Sequence, residues 1–321
     1  MRVQARFAAL AFGALACSAP ALAQNFPAKP VRVIVPYAAG GPTDVIARAL
    51  TQKIGEAWGQ PLVVDNIAGA NGVIAQEQAA RAPADGYTLF VQSVAYVVNP
   101  LLYKANYNNE RDFIPVSLVA SFPLMLTTHP SVPAKSVKEL IDLAKAKPGQ
   151  LNYASYGQGS IAQLAAELMK NATGADITHI LYKGAAQGLT DTVAGQVQLT
   201  FPSLATGLPY VKSGRLNALA VTSRQRSALL PEVPTMIEAG IPDYEATSWF
   251  AFFYQTGTPR PIVDKLHQEV LRVVRQPDVK AKLDAQAFEV VGMGPDKFPD
   301  FVRSETQKYD RVVKVSKIKV E

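Results

Sequence analysis

The chain has 321 residues, 48% of them hydrophobic and 18% charged. That is room for about two ordinary domains with a sizeable core, and it excludes a disordered chain. The net charge of +6 comes from scattered lysines and arginines with no run interleaved with aromatics, which argues against nucleic-acid binding. Cys17 is the one cysteine, and His129, His179 and His267 form no pair at metal-ligand spacing, so disulfides, thiol catalysis and a zinc site are not expected of the mature chain.

In chain order, the first stretch is an export signal at 1–23. Arg2 and Arg6 give a basic start, Phe7 to Ala16 is a short apolar run, and Ala21-Leu22-Ala23 is a small-x-small cleavage site before Gln24. The apolar run is about half of the ~20 residues that a membrane span needs. A lipidation box at Cys17 is the other alternative, with Ala rather than a branched apolar residue three positions before it. Cleavage is expected to leave a soluble mature protein outside the cytoplasm, in the periplasm of a cell that has one.

Val31 to Pro36 reads as a strand that runs into Tyr37-Ala38-Ala39-Gly40-Gly41-Pro42. A helix follows, with Thr43 as N-cap, Ile46, Leu50, Ile54 and Trp58 at helical spacing, and Gly59 as its end. Leu62 to Asp65 reads as strand, Asn71 to Arg81 as helix and Tyr87 to Ser93 as strand. The alternation predicts a parallel sheet with covering helices. The order then repeats. Ser136 and Glu139 form a capping box for a helix over Val137 to Ala146, and Leu151 to Ala154 is a strand. Ile161, Leu164, Ala165 and Leu168 mark a helix, and Ile177 to Tyr182, Val197 to Phe201 and Leu216 to Thr222 are strands with helices between them. Ile114 to Thr128 and Glu245 to Tyr254 are long apolar stretches without helical period, which predicts two segments crossing between lobes. One lobe would then be 24–125 plus 248–321, completed by C-terminal helices that include Pro261 to Arg275, and the other 126–247, with a hinge at the paired crossings.

Two glycine loops each join a strand to a helix start: Tyr37 to Asp44, and Ser155-Tyr156-Gly157-Gln158-Gly159-Ser160, with Ser160 as N-cap. The first N–H groups of a helix lack intrahelical acceptors and carry partial positive charge, so such a loop makes either a tight turn or an anion site. Two of them, one per lobe, favour an anion held between the lobes. Gly157-x-Gly159-x-x-Ala162 superficially matches a dinucleotide fingerprint, but Lys183 and Gly184 stand where that motif wants an acidic residue. There is no G-x-S-x-G elbow and no Walker lysine. Ser160 has no histidine nearby in sequence, which leaves a spatial triad through His179 open.

The order of these motifs resembles the substrate-binding proteins of tripartite tricarboxylate transporters, the Bug family, over essentially the whole mature chain. The residues that carry the resemblance are Pro36 with Gly40-Gly41-x-x-Asp44-x-x-Ala47-Arg48, Asn66 with Gly69-Ala70-Asn71-Gly72, Asp85-Gly86-Tyr87-Thr88-Leu89 and Asn99-Pro100-Leu101-Leu102-Tyr103. Later come Tyr153-Ala154-Ser155-x-Gly157-x-Gly159-Ser160, Tyr182-Lys183-Gly184, Leu230-Pro231-Glu232-Val233-Pro234-Thr235, Glu238-Ala239-Gly240 and Gly257-Thr258-Pro259. The resemblance implies an α/β type II periplasmic binding-protein fold with two lobes, a ligand cleft and two crossover segments. It further implies capture of a small carboxylate, partly through bridging waters, and delivery to the membrane subunits of a transporter, with no catalysis. Asp65 stands where Glu is usual, Asn71 where Gly is usual and Gln163 where His is expected; the last lies nearest the ligand and bears on its identity.

From the residues themselves, Gly40, Gly41 and Thr43 are expected to offer donors from one lobe, and Ser155, Gly159 and Ser160 from the other. Tyr37 covers the ligand or packs. Asp44 satisfies helix N–H groups or binds a donor on the ligand. Lys183 is a counter-charge or a solvated lysine, and Trp249 lines the cleft or packs at the crossing. Ser93, Phe201 and Ser203 end predicted strands, where open-sheet proteins place ligand contacts. No cofactor or metal is implied, and the expected partners are a small carboxylate and transporter subunits, with the protein itself a monomer. A secreted enzyme acting on a carboxylate, or a receptor signalling to a membrane sensor, is the alternative.

Overall fold

The computed structural model describes residues 26–320; the expected export signal, its cleavage site and Cys17 lie outside them. The first half contains β1 (Val31–Val35), α1 (Pro42–Trp58), β2 (Leu62–Asn66), α2 (Val73–Ala80), β3 (Thr88–Gln92), α3 (Ala95–Leu102), α4 (Asn109–Asp112), β4 (Phe113–Pro123), β5 (Met125–Thr128), α5 (Val137–Ala146) and β6 (Leu151–Ser155). The second half contains α6 (Ile161–Thr173), β7 (Ile177–Leu181), α7 (Ala185–Val193), β8 (Leu199–Thr200), α8 (Leu204–Lys212), β9 (Asn217–Val221), β10 (Thr247–Gln255), α9 (Arg260–Val273), α10 (Pro277–Ala285), β11 (Glu289–Met293) and α11 (Phe298–Val315).

The strands form two sheets. One has the order β11-β4-β10-β3-β1-β2 and the other β7-β6-β8-β5-β9. The expected parallel pairing holds for β1 with β2 and β3, and for β6 with β7 and β8. It fails where the chain passes between sheets: β10 runs antiparallel to β3 and β4, and β5 antiparallel to β8 and β9. These strands enter from the other sheet rather than returning through a helix, so they are free of the parallel geometry that a crossover helix imposes.

The apolar stretch read as one segment over Ile114 to Thr128 is two strands that break at Leu124, and each belongs to a different sheet. Thr222, fully buried, holds the break. The Leu124 N–H donates to Thr222 Oγ1 (2.8 Å), and the Thr222 N–H donates to Leu124 O (3.0 Å). The returning chain is tied to the same residue, since the Ala246 N–H donates to Thr222 O (3.1 Å) just before β10.

Local chemistry moved several expected boundaries. Gly41, not Thr43, is the N-cap of α1, because Pro42 takes the first helical position, where its missing N–H costs nothing. The helix expected from Asn71 begins at Val73, since Asn71 sits in the left-handed region at φ 51°. Asparagine is among the few residues that tolerate that conformation, and it stands where the resemblance expects glycine. The strand expected over Val197 to Phe201 pairs only at Leu199–Thr200. In the expected capping box, Ser136 does accept the Glu139 N–H (3.2 Å), but Glu139 Oε2 accepts from Lys135 N (2.8 Å), one residue earlier than the box requires.

One apolar cluster joins the sheets. It includes Ile34, Phe90 and Phe253 of the first sheet, Tyr153 and Leu199 of the second, and Phe298, Tyr309 and Val312 of α11. Tyr96 stacks on Phe253 at 4.1 Å within it. Trp249, left open between cleft and packing, is 1% exposed and meets Phe298 and Phe301 edge-on, so it packs. Helix α11 lies against both α3 and α6.

Candidate functional site

Both glycine loops follow a strand and open a helix, as expected, and they share one construction. In the first, Gly40 has φ +83°, a conformation that glycine adopts without penalty. That turn aims its N–H back at Asp44 Oδ2 (2.8 Å), the third residue of α1. In the second, Gly159 at φ +74° aims its N–H at Gln163 Oε1 (2.7 Å), the third residue of α6. The N–H groups of Gly40 and Gly159, expected to face a ligand, are therefore taken by side chains of the chain itself. The donors left over come from the helix starts. The first backbone bond of α1 is Val45 N to Gly41 O (2.9 Å), and that of α6 is Leu164 N to Ser160 O (3.0 Å). The N–H groups of Thr43 and Asp44, and of Ile161 and Ala162, precede those bonds and point along their helix axes with the positive end of the dipole. Gly41 N turns to Ala38 O (3.4 Å) instead.

Asp44 is buried and its partners are all internal. Besides Gly40 N it accepts from Arg48 Nε (3.0 Å) and Asn66 Nδ2 (2.8 Å). Burial alone would raise its pKa, but Arg48, the Gly40 N–H and Asn66 together hold the carboxyl below the usual range. Arg48 in turn donates to Asn66 Oδ1 (2.7 Å), and Asn66 Nδ2 also reaches Tyr37 O (2.9 Å). Asp44 thus fixes the loop and neutralises the one arginine beside it. Arg48 was legible at i+4 from Asp44; Asn66 comes from the next strand and carried no local signal.

Tyr37 is half-buried. Its hydroxyl donates to Gln92 Oε1 (2.9 Å) and lies 2.6 Å from Ser93 Oγ, so Ser93 holds the tyrosine. Burial pushes the Tyr37 phenol up to about 12, with the Ser93 bond opposing. Tyr156, from the second loop, sits close enough that burial first, and then Tyr37, push its own phenol up. Each loop therefore contributes one neutral tyrosine to the same place, and Tyr156 went unnoticed in the sequence because nothing in its spacing marks it.

In the second unit, Ser160 caps α6 as expected, with its Oγ accepting the Gln163 N–H at 3.5 Å. Ser155 Oγ lies 2.6 Å from His179 Nε2, and His179 Nδ1 lies 3.4 Å from Gln163 Nε2. The pairing follows from strand register, since Tyr153 is opposite His179 and Ser155 opposite Leu181. Gln163 Nε2 also donates to Gln158 Oε1 (3.0 Å). Burial holds the His179 imidazole below its usual range, with Glu167 opposing.

The other expected contacts stand apart from this set. Phe201 is wholly buried in the core and presents no surface. Ser203 caps α8, with its Oγ accepting from Thr206 N (3.4 Å), and bridges to Leu124 at the crossing. Lys183 is exposed and makes no ion pair among the described residues. Surface depressions of about 610 Å³ beside α1 and β2, and about 710 Å³ beside α9 and β11, lie on outer faces of the first unit and include none of the second loop.

Two sheets joined by paired crossings, with a helix N-terminus from each unit offering donors, define a periplasmic binding-protein fold. The sequence profile described as Tripartite tricarboxylate transporter family receptor matches residues 46–318, and the chain belongs to that family. It is similar to Protein BugT of Bordetella pertussis, 37% identical over 300 residues that cover 92% of each chain. A solved structure titled R. palustris Rpa4515 with adipate has 35% identity and a TM-score of 0.82 over 92% of this chain and 99% of that one. MatC of Rhodopseudomonas palustris with bound malate has 31% identity and a TM-score of 0.78 over 90% of this chain and all of that one.

Proposed function

We propose that this protein is a periplasmic receptor that holds a small organic carboxylate between two lobes, 24–125 plus 248–321 and 126–247, and delivers it to the membrane subunits of a tripartite tricarboxylate-type transporter. The observation that carries the proposal is the pair of helix N-termini. Thr43 and Asp44 N–H on one side, with Ile161 and Ala162 N–H and the Ser160 hydroxyl on the other, offer hydrogen-bond donors without a counter-cation. Arg48 is spent on Asp44, so the anion is held by oriented dipoles. The adipate and malate in the relatives' structures support the ligand class.

The role is capture without turnover. A serine nucleophile needs a base whose nitrogen accepts its proton. The nitrogen of His179 facing Ser155 carries a proton of its own, because the other ring nitrogen accepts from the Gln163 NH₂ group, and Ser160 has no histidine partner among the described residues. The chain acts as a monomer whose lobes hinge at Leu124 and Ala246.

A thermal-shift screen over mono-, di- and tricarboxylates should raise the unfolding midpoint with at least one acid, because a ligand that prefers the native state stabilises it by mass action. Ser160→Ala should then weaken that acid about 10-fold or more, the share of one hydrogen bond to a charged group. Its cap loss costs only about 1 kcal/mol of stability. A flat screen, or wild-type affinity in the variant, would count against the helix starts as the anion site.

A further inference from the structure

We propose that His179 is a positioning residue of the ligand site: its Nε2–H fixes the Ser155 hydroxyl so that the hydroxyl proton is presented only to an acceptor on the ligand. The proposal rests on the carboxylate reading above and adds to it a residue and a direction.

The direction follows from one unambiguous donor. The Gly159 backbone N–H can only donate, so the Gln163 atom 2.7 Å from it is the carbonyl oxygen. The Gln163 amide is then oriented, and the atom facing His179 Nδ1 at 3.4 Å is the NH₂ group. An amide NH₂ only donates, so Nδ1 accepts and bears no proton. In a neutral imidazole the other nitrogen then carries it. Nε2–H therefore donates to Ser155 Oγ across 2.6 Å. The opposite tautomer would set the Nδ1–H against the Gln163 NH₂, two donors facing each other. A doubly protonated ring would do the same, and burial of the imidazole, stacked on Tyr153 at 4.9 Å, disfavours that charge as well.

Ser155 is left with a hydroxyl proton to place. It is 1% exposed, and no second partner of its Oγ exists among the described residues. A buried hydroxyl proton without an acceptor costs free energy, and a carboxylate oxygen arriving at the C-terminal end of β6 removes that cost. The row from Gly159 through Gln163 and His179 to Ser155 has one polarity throughout. It favours a ligand group that accepts over one that donates. The same row bars His179 from taking the serine proton.

The first test needs no ligand. Long-range proton–nitrogen correlation spectra of ¹⁵N-histidine-labelled protein, with the His179 signals assigned by their loss in His179→Gln, should show the Nε2–H tautomer at neutral pH. An Nδ1–H tautomer would overturn the proposal. The second test is a double-variant cycle read by calorimetry, with adipate, malate, citrate, benzoate and acetate as probes. With the tightest probe, Ser155→Ala should weaken binding about 10- to 150-fold, the range for a hydrogen bond to a charged group. His179→Leu should weaken it by less, roughly 3- to 10-fold. His179→Gln, which can keep a donor toward Ser155 and an acceptor toward Gln163, should restore wild-type affinity to within about threefold. In the Ser155→Ala background the His179→Leu change should have no further effect, because its action runs through the serine. Equal losses from His179→Leu in both backgrounds would mark a merely structural residue and overturn the role of His179 alone. Failure of wild type to bind any of the five probes would instead overturn the carboxylate reading, and the role of Ser155 with it.

Discussion

Asp44 and Gln163 occupy the same place in α1 and α6, third in the helix, and each accepts the N–H of the glycine two residues before the helix. One is a carboxylate, tied to Arg48 and Asn66; the other is a neutral amide beside His179. The difference matters because the Asp44 charge is compensated by Arg48, whereas a charge placed at position 163 would have no cation paired with it and would face the bound anion. Gln163→Glu should keep the bond to Gly159 but lose stability, because its second carboxylate oxygen then faces Gln158 Oε1 and His179 Nδ1 in place of an amide donor. It should weaken carboxylate binding at least about 10-fold at neutral pH, since like charges about 5 Å apart repel by roughly 3 kcal/mol at an effective dielectric constant near 20. Affinity should recover as the pH falls toward the glutamate pKa, a recovery that calorimetry across pH reads directly; binding unchanged at neutral pH would place the anion elsewhere. Asp44 makes a prediction of opposite kind. Its folded pKa lies below the unfolded one, so its contribution to stability is complete above the ordinary aspartate range and is lost as pH falls through the folded value. Asp44→Asn should therefore melt at a lower temperature than wild type near pH 7, with the gap narrowing on acidification below about pH 4. A gap constant across that window would mean the carboxylate charge is not what holds the loop. The residue types of both loops were legible in the sequence. That Gly40 and Gly159 spend their N–H groups internally was not, because the bond depends on a positive φ that no spacing announces.

At the scale of elements, α1, α5 and α6 share a start in which the third helical side chain, Asp44, Glu139 or Gln163, accepts the N–H of the residue just before the cap, Gly40, Lys135 or Gly159. Sequence reading found the helices and the caps at Ser136 and Ser160, since hydrophobic period and capping chemistry are local. It could not find the pairing of Ser155 with His179, which strand register creates, nor the clip at Thr222, whose partners are 98 residues away for Leu124 and come from the returning chain for Ala246. The second loop also meets α3. A Cβ at Gly159 would come within 2.5 Å of Leu102 and 2.9 Å of Val98, and Tyr103 OH reaches Gln158 O at 3.4 Å. Gly159→Ala would therefore add both left-handed strain and a clash between the two units. It should destabilise the protein by about 2–5 kcal/mol in urea denaturation, the sum of overpacking and the αL penalty. Gly41→Val is a useful contrast. Gly41 has an ordinary φ of −72°, and its Cβ would meet only Ala38 O at 3.5 Å, so the fold should tolerate the change while the branched side chain covers the α1 start. Comparable destabilisation by the two substitutions would contradict this geometry.

At the scale of the molecule, the two expected lobes share one core. Helix α11 packs on α3 and on α6, Asn171 Nδ2 donates to Ser316 Oγ (3.0 Å), and Tyr103 OH donates to Gln158 O (3.4 Å). A hinge at Leu124 and Ala246 cannot swing wide without breaking this apolar continuity, so opening is expected as a small rotation that slides α6 along α11 and lifts the second loop from Val98 and Leu102. A ligand that contacts both helix starts favours the arrangement with the loops together, by no more than its difference in affinity for the two states. The lone cysteine, Cys17, falls within the expected signal, so the mature chain can be labelled at introduced cysteines without background. Ala68 and Lys183 are exposed and follow the C-terminal ends of β2 and β7, one on each sheet. Spin labels on Ala68→Cys and Lys183→Cys should give a broad distance distribution in free protein. Saturating carboxylate should make it narrower and shift it to shorter distances, whereas a change of radius of gyration in small-angle scattering should be slight. A large change in radius would mean that α11 releases one unit on opening. Identical label distances with and without ligand would mean that capture proceeds within a cleft already closed.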